Sequence, residues 1–582
     1  MLISGGLVLL ASLVCLGYGL LALRLGEALL PGLGRGITIG DLGILGYAML
    51  GLTATIVHVA APLGGVTAAL AWLVGVGLLL LRRRGLARQA AAFGWPLPAA
   101  LLLLAAACLY LGAMIPGATR GHFDTGLYHL QAVRQAMEFP LILGSANIHM
   151  RFGYNSAVFP TAALLSGGWP GLAAAITGNA VLLAFVILAV AQRAVSRGDG
   201  VGLRSSAFGI LFIALALFSP LLILRVWIGS PNSDIPSALA VLYAFHLALR
   251  LSDLGGGAPE AAERDGIVVM LAVVVALAVM LKLSALPAIL LLVVPALAWR
   301  RGRATGRAIL LGLGAALALG LPWLARGVAT SGCLAYPQPS SCLPVPWRIR
   351  PEVARSDLDW MRSWARRPDA PPDIVLADWS WLPDWIASLR QEPVYPTVLW
   401  LAGIALLLVV ARMLLPRRLV AVRDLLPTAA RLDMVALAAV ALAGLAFWFV
   451  TAPLVRYGQI WLVLPLLLAI AQAAPVGWGG VSALRLAAWM ASPRGRAGLA
   501  LGVGLTVLAS LAGKPLSRLL NTAPVRFPEI AVEARGDLAG IPVHVPLVGA
   551  QCWDAPRLCT PHLRDGLVAT RFLRGWMVRD RP

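Results

Sequence analysis

Long apolar stretches alternate with short arginine-rich links from the first residues to about residue 513, and this alternation is the dominant pattern of the chain. The apolar runs are roughly 15–23 residues long, the length at which a helix crosses the hydrocarbon core of a bilayer. Backbone N–H and C=O groups find no partners in lipid, so runs of this kind must satisfy themselves as helices. Strands of alternating polarity do not recur, which argues against an outer-membrane barrel. The runs fall near 2–23, 40–60, 66–81, 96–116, 171–192, 206–224, 234–251, 267–281, 284–299, 308–325, 395–415, 433–451, 459–474 and 498–513. The pattern predicts an all-α polytopic membrane protein of about 14 spans. The runs 267–281 and 284–299 are short and meet at Lys282, either as two short spans touching at the outer surface or as one broken element. The first run has no basic leader and no clean Ala-x-Ala site, so it reads as a retained span and not as a signal peptide.

Composition agrees. Of 582 residues, 59% are hydrophobic and only 13% charged, roughly half the charged fraction of a soluble domain. Mean hydropathy is +0.84. The formal charge of +21 would suit nucleic acid, but its placement excludes that reading. Arg82, Arg83, Arg84 and Arg88 form one link; Arg300, Arg301, Arg303 and Arg307 another; Arg412, Arg417, Arg418, Arg423 and Arg431 a third; Arg485, Arg494 and Arg496 a fourth. This is the positive-inside pattern, a topology signal. The arginine bias and the abundance of Ala, Gly and Leu fit a GC-rich bacterial genome, and the expected compartment is the inner membrane. With the arginine links inside, the N-terminus, 117–170, 225–233, 326–394, 452–458 and the tail from Lys514 face outward.

Two features support this orientation. The 326–394 loop carries eight basic and eight acidic side chains, a balance unlike the one-sided links. Cys15 and Cys108 sit in spans, whereas Cys333/Cys342 and Cys552/Cys559 form two close pairs in outward regions. Disulfides persist in an oxidising periplasm, so two local disulfides are the natural prediction, although spacing does not settle connectivity. Leu358, Met361 and Trp364 recur at helical spacing, and Trp347, Trp360, Trp364, Trp379, Trp381 and Trp385 crowd the same loop. Interface anchoring is the first reading of these tryptophans, and stacking on a sugar ring the alternative. The tail contains a strand-like stretch over 541–547 and reads as a small periplasmic cap. No internal repeat of the inverted kind found in transporters is evident.

The chemistry gathers on the outer side. Arg120-Gly-His-Phe-Asp-Thr-Gly-Leu-Tyr-His129 places His122, Asp124, Tyr128 and His129 directly after a span. The same loop continues as Asn147-Ile-His-Met-Arg-Phe-Gly-Tyr-Asn155, with His149, Arg151 and Asn155 as further candidates; His58 lies in an early span nearby. An aspartate here suits a general base taking a proton from an acceptor hydroxyl, or a ligand for a divalent cation. In Arg225-Val-Trp-Ile-Gly-Ser-Pro-Asn-Ser-Asp234, Asn232 or Ser233 is suited to cap the following helix, and Asp234 either joins them or faces a cavity. Lys282, Arg326 and Arg456 are cations at outer ends. Lys282 and Arg456 fit a phosphate or pyrophosphate; snorkelling to headgroups is the reading for Arg326.

These motifs resemble the GT-C class of polyprenyl-phosphate-dependent glycosyltransferases, which includes protein mannosyltransferases and aminoarabinose transferases. The points of likeness are an outer loop that opens with an acid and Tyr-His, Met280-Leu-Lys-Leu-Ser284 as an intramembrane lysine motif, and Val455-Arg-Tyr457 before a late span. More narrowly, Asp124 to Gln131, Arg151-Phe-Gly-Tyr-Asn-Ser156, Leu281-Lys-Leu-Ser284, Gly332 to Pro337 and the Cys552-Trp-Asp…Cys559 tail resemble a family of large bacterial membrane proteins over 96–582. The GT-C resemblance implies a sugar on a polyprenyl-phosphate carrier as donor and a periplasmic or envelope glycan, lipid or protein as acceptor. Asp124 would be the base or acceptor-orienting acid, with Tyr128 and His129 beside it. Lys282, Arg456 and Tyr457 would contact the donor phosphate, and His122, His149, Arg151, Asn155 and Asp234 would line the substrate site. Many members carry a second acid after the first, where this chain has Thr125. A magnesium or manganese ion therefore stays open as cofactor, with a metal-free mechanism favoured.

The resulting layout has accessory helices over 1–95, a GT-C-like core over 96–325 and an outer loop over 326–394. Further helices over 395–513 and a periplasmic tail over 514–582 follow. Rival readings are an O-antigen polymerase or ligase, which would lean on arginines of the large outer loop, and a lipid-linked saccharide flippase. The flippase would need polar residues spread through the middle of spans, whereas the ionisable residues read here as gathered at outer ends.

Overall fold

A computed structural model describes residues 2–118, 122–169, 171–194, 203–218, 227–254, 261–414, 428–473, 492, 494, 495, 498, 501, 502, 525, 527–555, 558–572 and 575–581. Among the described residues, ten helices are long and apolar enough to cross a membrane; the pair Gly65–Leu81 and Arg83–Ala92, bent by 63°, makes eleven if counted as one span. The expected count of about 14 includes stretches outside the described residues, so ten to eleven is the count of the described residues alone. Two of the expected spans are the apolar helices Leu203–Phe218 and Tyr395–Leu414, each running to the edge of the described residues, and 66–81 is one arm of the bent pair. Hydropathy registers apolar length but not where a helix bends. Most of the expected span at 498–513 lies outside the described residues, as do Arg120, Arg225, Arg417, Arg418, Arg423, Arg485, Arg496 and Lys514.

The helices sort into a buried centre and a lipid-facing rim. Ala175–Ala194, Asp234–Asp253 and Ala261–Leu281 bury 89%, 100% and 94% of their apolar windows, against 22% for Gly306–Ser331 and 28% for Arg431–Thr451. In lipid there is little hydrophobic gain from helix pairing, so close approach through small residues matters. Leu2–Leu29 and Ile39–His58 meet in this way: a Cβ at Gly46 would lie 1.7 Å from Cys15 O, and one at Gly19 would lie 1.8 Å from Leu42 O.

The ends opposite the chemistry-bearing loop carry buried ion pairs. Asp41, in a capping box with Thr38, binds Arg193 and Tyr243. Arg250 pairs with Glu263 at 3.0 Å, Arg204 with Asp253 at 2.7 Å and Arg301 with Asp433 at 2.7 Å. The reading that ionisable groups gather only at outer ends is corrected by these pairs. Each acid is joined to an arginine distant in sequence or across a link, and a buried charge needs that partner.

At the other ends, the 122–156 loop is packed into the fold. After Leu97–Ala118 it forms a π turn, Thr125–His129, leading into the helix Leu130–Glu138. Short 3₁₀ turns and the helix Val158–Leu165 follow. The N–H of Ala157 donates to Met280 O at 2.9 Å, and Ser156 Oγ donates to Leu281 O at 2.7 Å. The loop thereby satisfies carbonyls that the end of the Ala261–Leu281 helix leaves open. Lys282 is extended (φ −159°, ψ 132°), and a 3₁₀ segment, Leu283–Leu292, leads away into Val293–Arg300. Of the two readings for this region, two elements meeting at Lys282 is what the structure shows.

Both cysteine pairs are disulfides. In the 326–394 loop the expected helix runs over Pro351–Arg366. Its tryptophans divide: Trp360, Trp364 and Trp379 are exposed, while Trp381 and Trp385 are buried. Trp385 packs against Trp448 and Phe449 and donates to Pro453 O at 2.8 Å. Arg326 does not snorkel; it is buried and donates to Asn155 Oδ1 at 2.7 Å. The tail forms strands β1 (Val532–Leu538), β2 (Ile541–Pro546) and β3 (Leu558–Cys559), with β2 antiparallel to β1 and parallel to β3. A separate hairpin pairs β4 (Leu567–Phe572) with β5 (Gly575–Asp580).

Candidate active site

Four sequence-distant segments converge where the 122–156 loop meets the buried helices. Asp124 immediately precedes the π turn. Thr125 Oγ1 lies 2.5 Å from Ser230 Oγ, which ties this turn to the segment before Asp234. That segment is itself rigid: Asn232 Oδ1 accepts from Ile235 N–H at 3.1 Å, while its amide donates to Trp227 O and Ser230 O. Asn232 is therefore the capping side chain, Ser233 makes no capping bond, and Asp234 is left to face inward.

Arg456 lies in the first turn of Val455–Ala473, a helix interrupted at Gly458 (φ −145°, ψ 19°). Trp448 packs against that glycine so closely that a Cβ would lie 2.0 Å from its ring. Arg456 Nη2 donates to Asp124 Oδ2 at 2.8 Å and to the Tyr457 hydroxyl at 3.3 Å. The Lys282 ammonium stands 4.3 Å from the centre of the Tyr457 ring and forms an ion pair with Asp234. His122 Nε2 lies 3.6 Å from the other oxygen of Asp234. Asp124, Arg456, Tyr457, Lys282, Asp234 and His122 thus form a closed ring of contacts, because His122 and Asp124 share one loop. Asp234, Lys282, Arg456 and Tyr457 also line a narrow cleft with Ser284, Gln459 and Trp461. Arg456 and Gln459 line a second pocket beside it, with Trp227, Glu392 and Val394.

Electrostatics separates the roles available to the loop residues. Burial alone raises the Asp124 carboxyl, but Arg456, with Arg151 behind it, outweighs it and holds the group below its ordinary value. Asp124 is consequently an anion at neutral pH. Burial pushes Tyr128 well above its ordinary value and His129 well below. Burial, reinforced by Arg151, takes His149 down to about 3. Both histidines are neutral near pH 7, so neither adds positive charge beside Arg456 and Arg151.

The remaining candidates lie around the ring. Tyr128 and His129 pack edge-to-face at 4.4 Å, and His129 lies 5.1 Å from His122. Arg151 spreads over the rings of Tyr128 and Tyr154, at 5.8 and 5.9 Å. His149 accepts from Arg151 N–H at 3.1 Å and shapes the local turn. Asn155 is held by Arg326 and Trp323 on the Gly306–Ser331 helix, away from the cleft. His58 contacts the same loop through Phe139 O at 3.2 Å. Among the described residues, no three or more His, Cys, Asp or Glu side chains are grouped so as to hold a metal ion. The two carboxylates of the ring are each taken up by a cation.

Gln459 and Trp461 carry no sequence signal, and Ser284 enters the sequence reading only as the end of the lysine motif. Ser284, Gln459 and Trp461 enter the cleft only because the 282–292 segment and the 455–473 helix lie side by side, with Trp461 Nε1 donating to Ser284 O at 3.3 Å. Asp357 is buried beside Tyr336, whose hydroxyl donates to it at 3.0 Å; burial raises its carboxyl despite nearby Arg151. In the sequence, Asp357 is one acid among eight in its loop.

A family model described as "Domain of unknown function (DUF8201)" matches residues 1–463. No curated protein and no solved structure matches the chain.

Proposed function

The chain belongs to the DUF8201 family, and from that premise and the chemistry of the cleft we propose that it is a GT-C-like membrane glycosyltransferase. It would move a sugar from a polyprenyl-phosphate donor to a periplasmic or envelope acceptor. The observation that carries this reading is the double attachment of Arg456, which holds Asp124 on one side and lines the cleft beside Lys282 and Tyr457 on the other. A donor phosphate in the cleft would meet both cations, and Asp124 would stand next to it.

Arg456 and Lys282 are each paired with an acid, yet both keep donors to spare, since a guanidinium has five N–H groups and an ammonium three. Negative charge grows on the phosphate as the anomeric bond breaks, and fixed cations that meet it there lower the barrier. Asp124 is an acceptor at neutral pH and would orient an acceptor hydroxyl and take its proton. The hydroxyl oxygen bonds to the anomeric carbon as the phosphate leaves, with inversion. We read the Asp124 face as periplasmic, since both disulfides and the balanced 326–394 loop lie on it.

The test is turnover by the purified protein on a panel of polyprenyl-phosphate sugars, wild type against Asp124→Asn. Sugar release that the variant loses supports the proposal. Absence of binding and turnover for every donor, or full activity in the variant, ends it. Movement of a lipid-linked saccharide across vesicles without sugar release would replace it with the flippase reading.

A further inference from the structure

We infer that the C-terminal cap is a positioning element for Asp124, acting through the backbone on either side of that residue, and that the Cys552–Cys559 disulfide shapes the loop that does it. Gln551 Nε2 donates to Phe123 O at 2.8 Å. The N–H groups of Cys552 and Trp553 both donate to Gly126 O, at 2.8 and 2.9 Å. These two carbonyls bracket Asp124. Carbonyls in the first turn of a helix have a second lone pair free for outside donors, and here three such donors come from the cap.

The contact continues along the helix that follows. Gln131, buried, donates its amide to Trp553 O at 3.1 Å and Ala555 O at 3.0 Å, and its carbonyl accepts from Cys559 N–H at 3.1 Å. Arg134 Nε bonds Asp554 Oδ1 at 3.0 Å. Every cap residue in this set lies in or next to the loop closed by the disulfide. Trp553 has φ 44°, a left-handed conformation that a bulky residue keeps only when its surroundings impose it. Its indole lies flat enough on Gly126 that a Cβ there would come within 2.6 Å of the ring. Glycine at 126 is thus what lets the cap seat. Farther along, β5 completes the grip: Leu143 N–H donates to Trp576 O at 2.9 Å, and Val578 N–H donates to Leu143 O at 2.8 Å.

The consequence for turnover rests on the proposed role of Asp124; the ordering of the loop does not. The experiment therefore reads order directly, as amide hydrogen exchange of the full-length protein in nanodiscs. Trp553→Ala, and separately Cys552→Ser with Cys559→Ser, should speed exchange in 122–134 about tenfold or more. Peptides from Ala261–Leu281 and Ile39–His58 should be unchanged. Val548→Ser, on an exposed cap position, should leave 122–134 protected. Gly126→Ala leaves the cap sequence intact and should produce the same local loss, with no further loss when combined with Trp553→Ala, because both break one contact. Unchanged protection of 122–134 in the cap variants, or losses that add in the double variant, overturns the inference. Selective loss of protection without turnover of any donor would uphold it while ending the glycosyltransferase reading.

Discussion

Arg456 and Asp124, 332 positions apart in the chain, are joined by a single 2.8 Å hydrogen bond between guanidinium and carboxylate. The carboxylate side chain is 12% exposed and the guanidinium 22%, so the pair is screened little by solvent. Removing either partner leaves a charge in a poor environment. Arg456→Ala should lower stability by about 1–3 kcal/mol and turnover by roughly 10²–10³-fold. Arg456→Lys should recover part of the stability but little turnover, since a compact ammonium lacks the further N–H groups that a guanidinium keeps for the cleft while it holds Asp124. Denaturation and steady-state kinetics on the three proteins check this.

Lys282 touches the cleft from the opposite side, over the Tyr457 ring. Lys282→Met keeps the apolar stem and removes the charge. Binding of polyprenyl phosphate should weaken about tenfold, which is about 1.4 kcal/mol, and the salt dependence of binding should flatten. Titration calorimetry at two ionic strengths measures both, and unaltered affinity would remove Lys282 from the phosphate site.

The depressed Asp124 carboxyl has a signed consequence for pH. A group whose folded value lies below its unfolded one contributes stability that is fully present above the unfolded value and is lost as pH falls through the folded value. The stability gap between wild type and Asp124→Asn should therefore be flat from about pH 5 to 8 and shrink only below about pH 4, the ordinary carboxylate value. Melting temperatures across that range test it. A gap that collapses near pH 6 would instead implicate a histidine.

Ser156 secures the junction at Lys282, with its hydroxyl donating to Leu281 O. Ser156→Ala should cost about 1 kcal/mol and speed exchange at 279–284, whereas Ser156→Thr should keep the bond. Peptide-level exchange across the three proteins would show this, and equal rates would mean that the Ala157–Met280 bond suffices alone.

Orientation has its own check. Ser340 is exposed next to the Cys333–Cys342 disulfide, so a cysteine placed there should react with an impermeant thiol reagent added from the periplasmic side. Labelling only after the cytosolic face is opened would invert the topology.

Hydropathy alone establishes that the chain crosses a membrane many times. Arginine bias supports the side assigned to each loop, because both signals are sums over neighbouring residues. It also singles out Asp124, Lys282 and Arg456, since charges are rare enough in such a chain to stand out individually. It does not show that Asp124 binds Arg456 and Lys282 binds Asp234, nor that Asn155 and Arg326 satisfy each other away from the cleft. It likewise leaves hidden that the cap, which reads as an appendage, grips the backbone around Asp124. Those outcomes depend on which helix ends meet once the spans have packed. In a buried environment a charge or carbonyl must take whatever partner that packing delivers. The outer loop was legible as the place where chemistry gathers; the ring that makes it a site exists only in three dimensions.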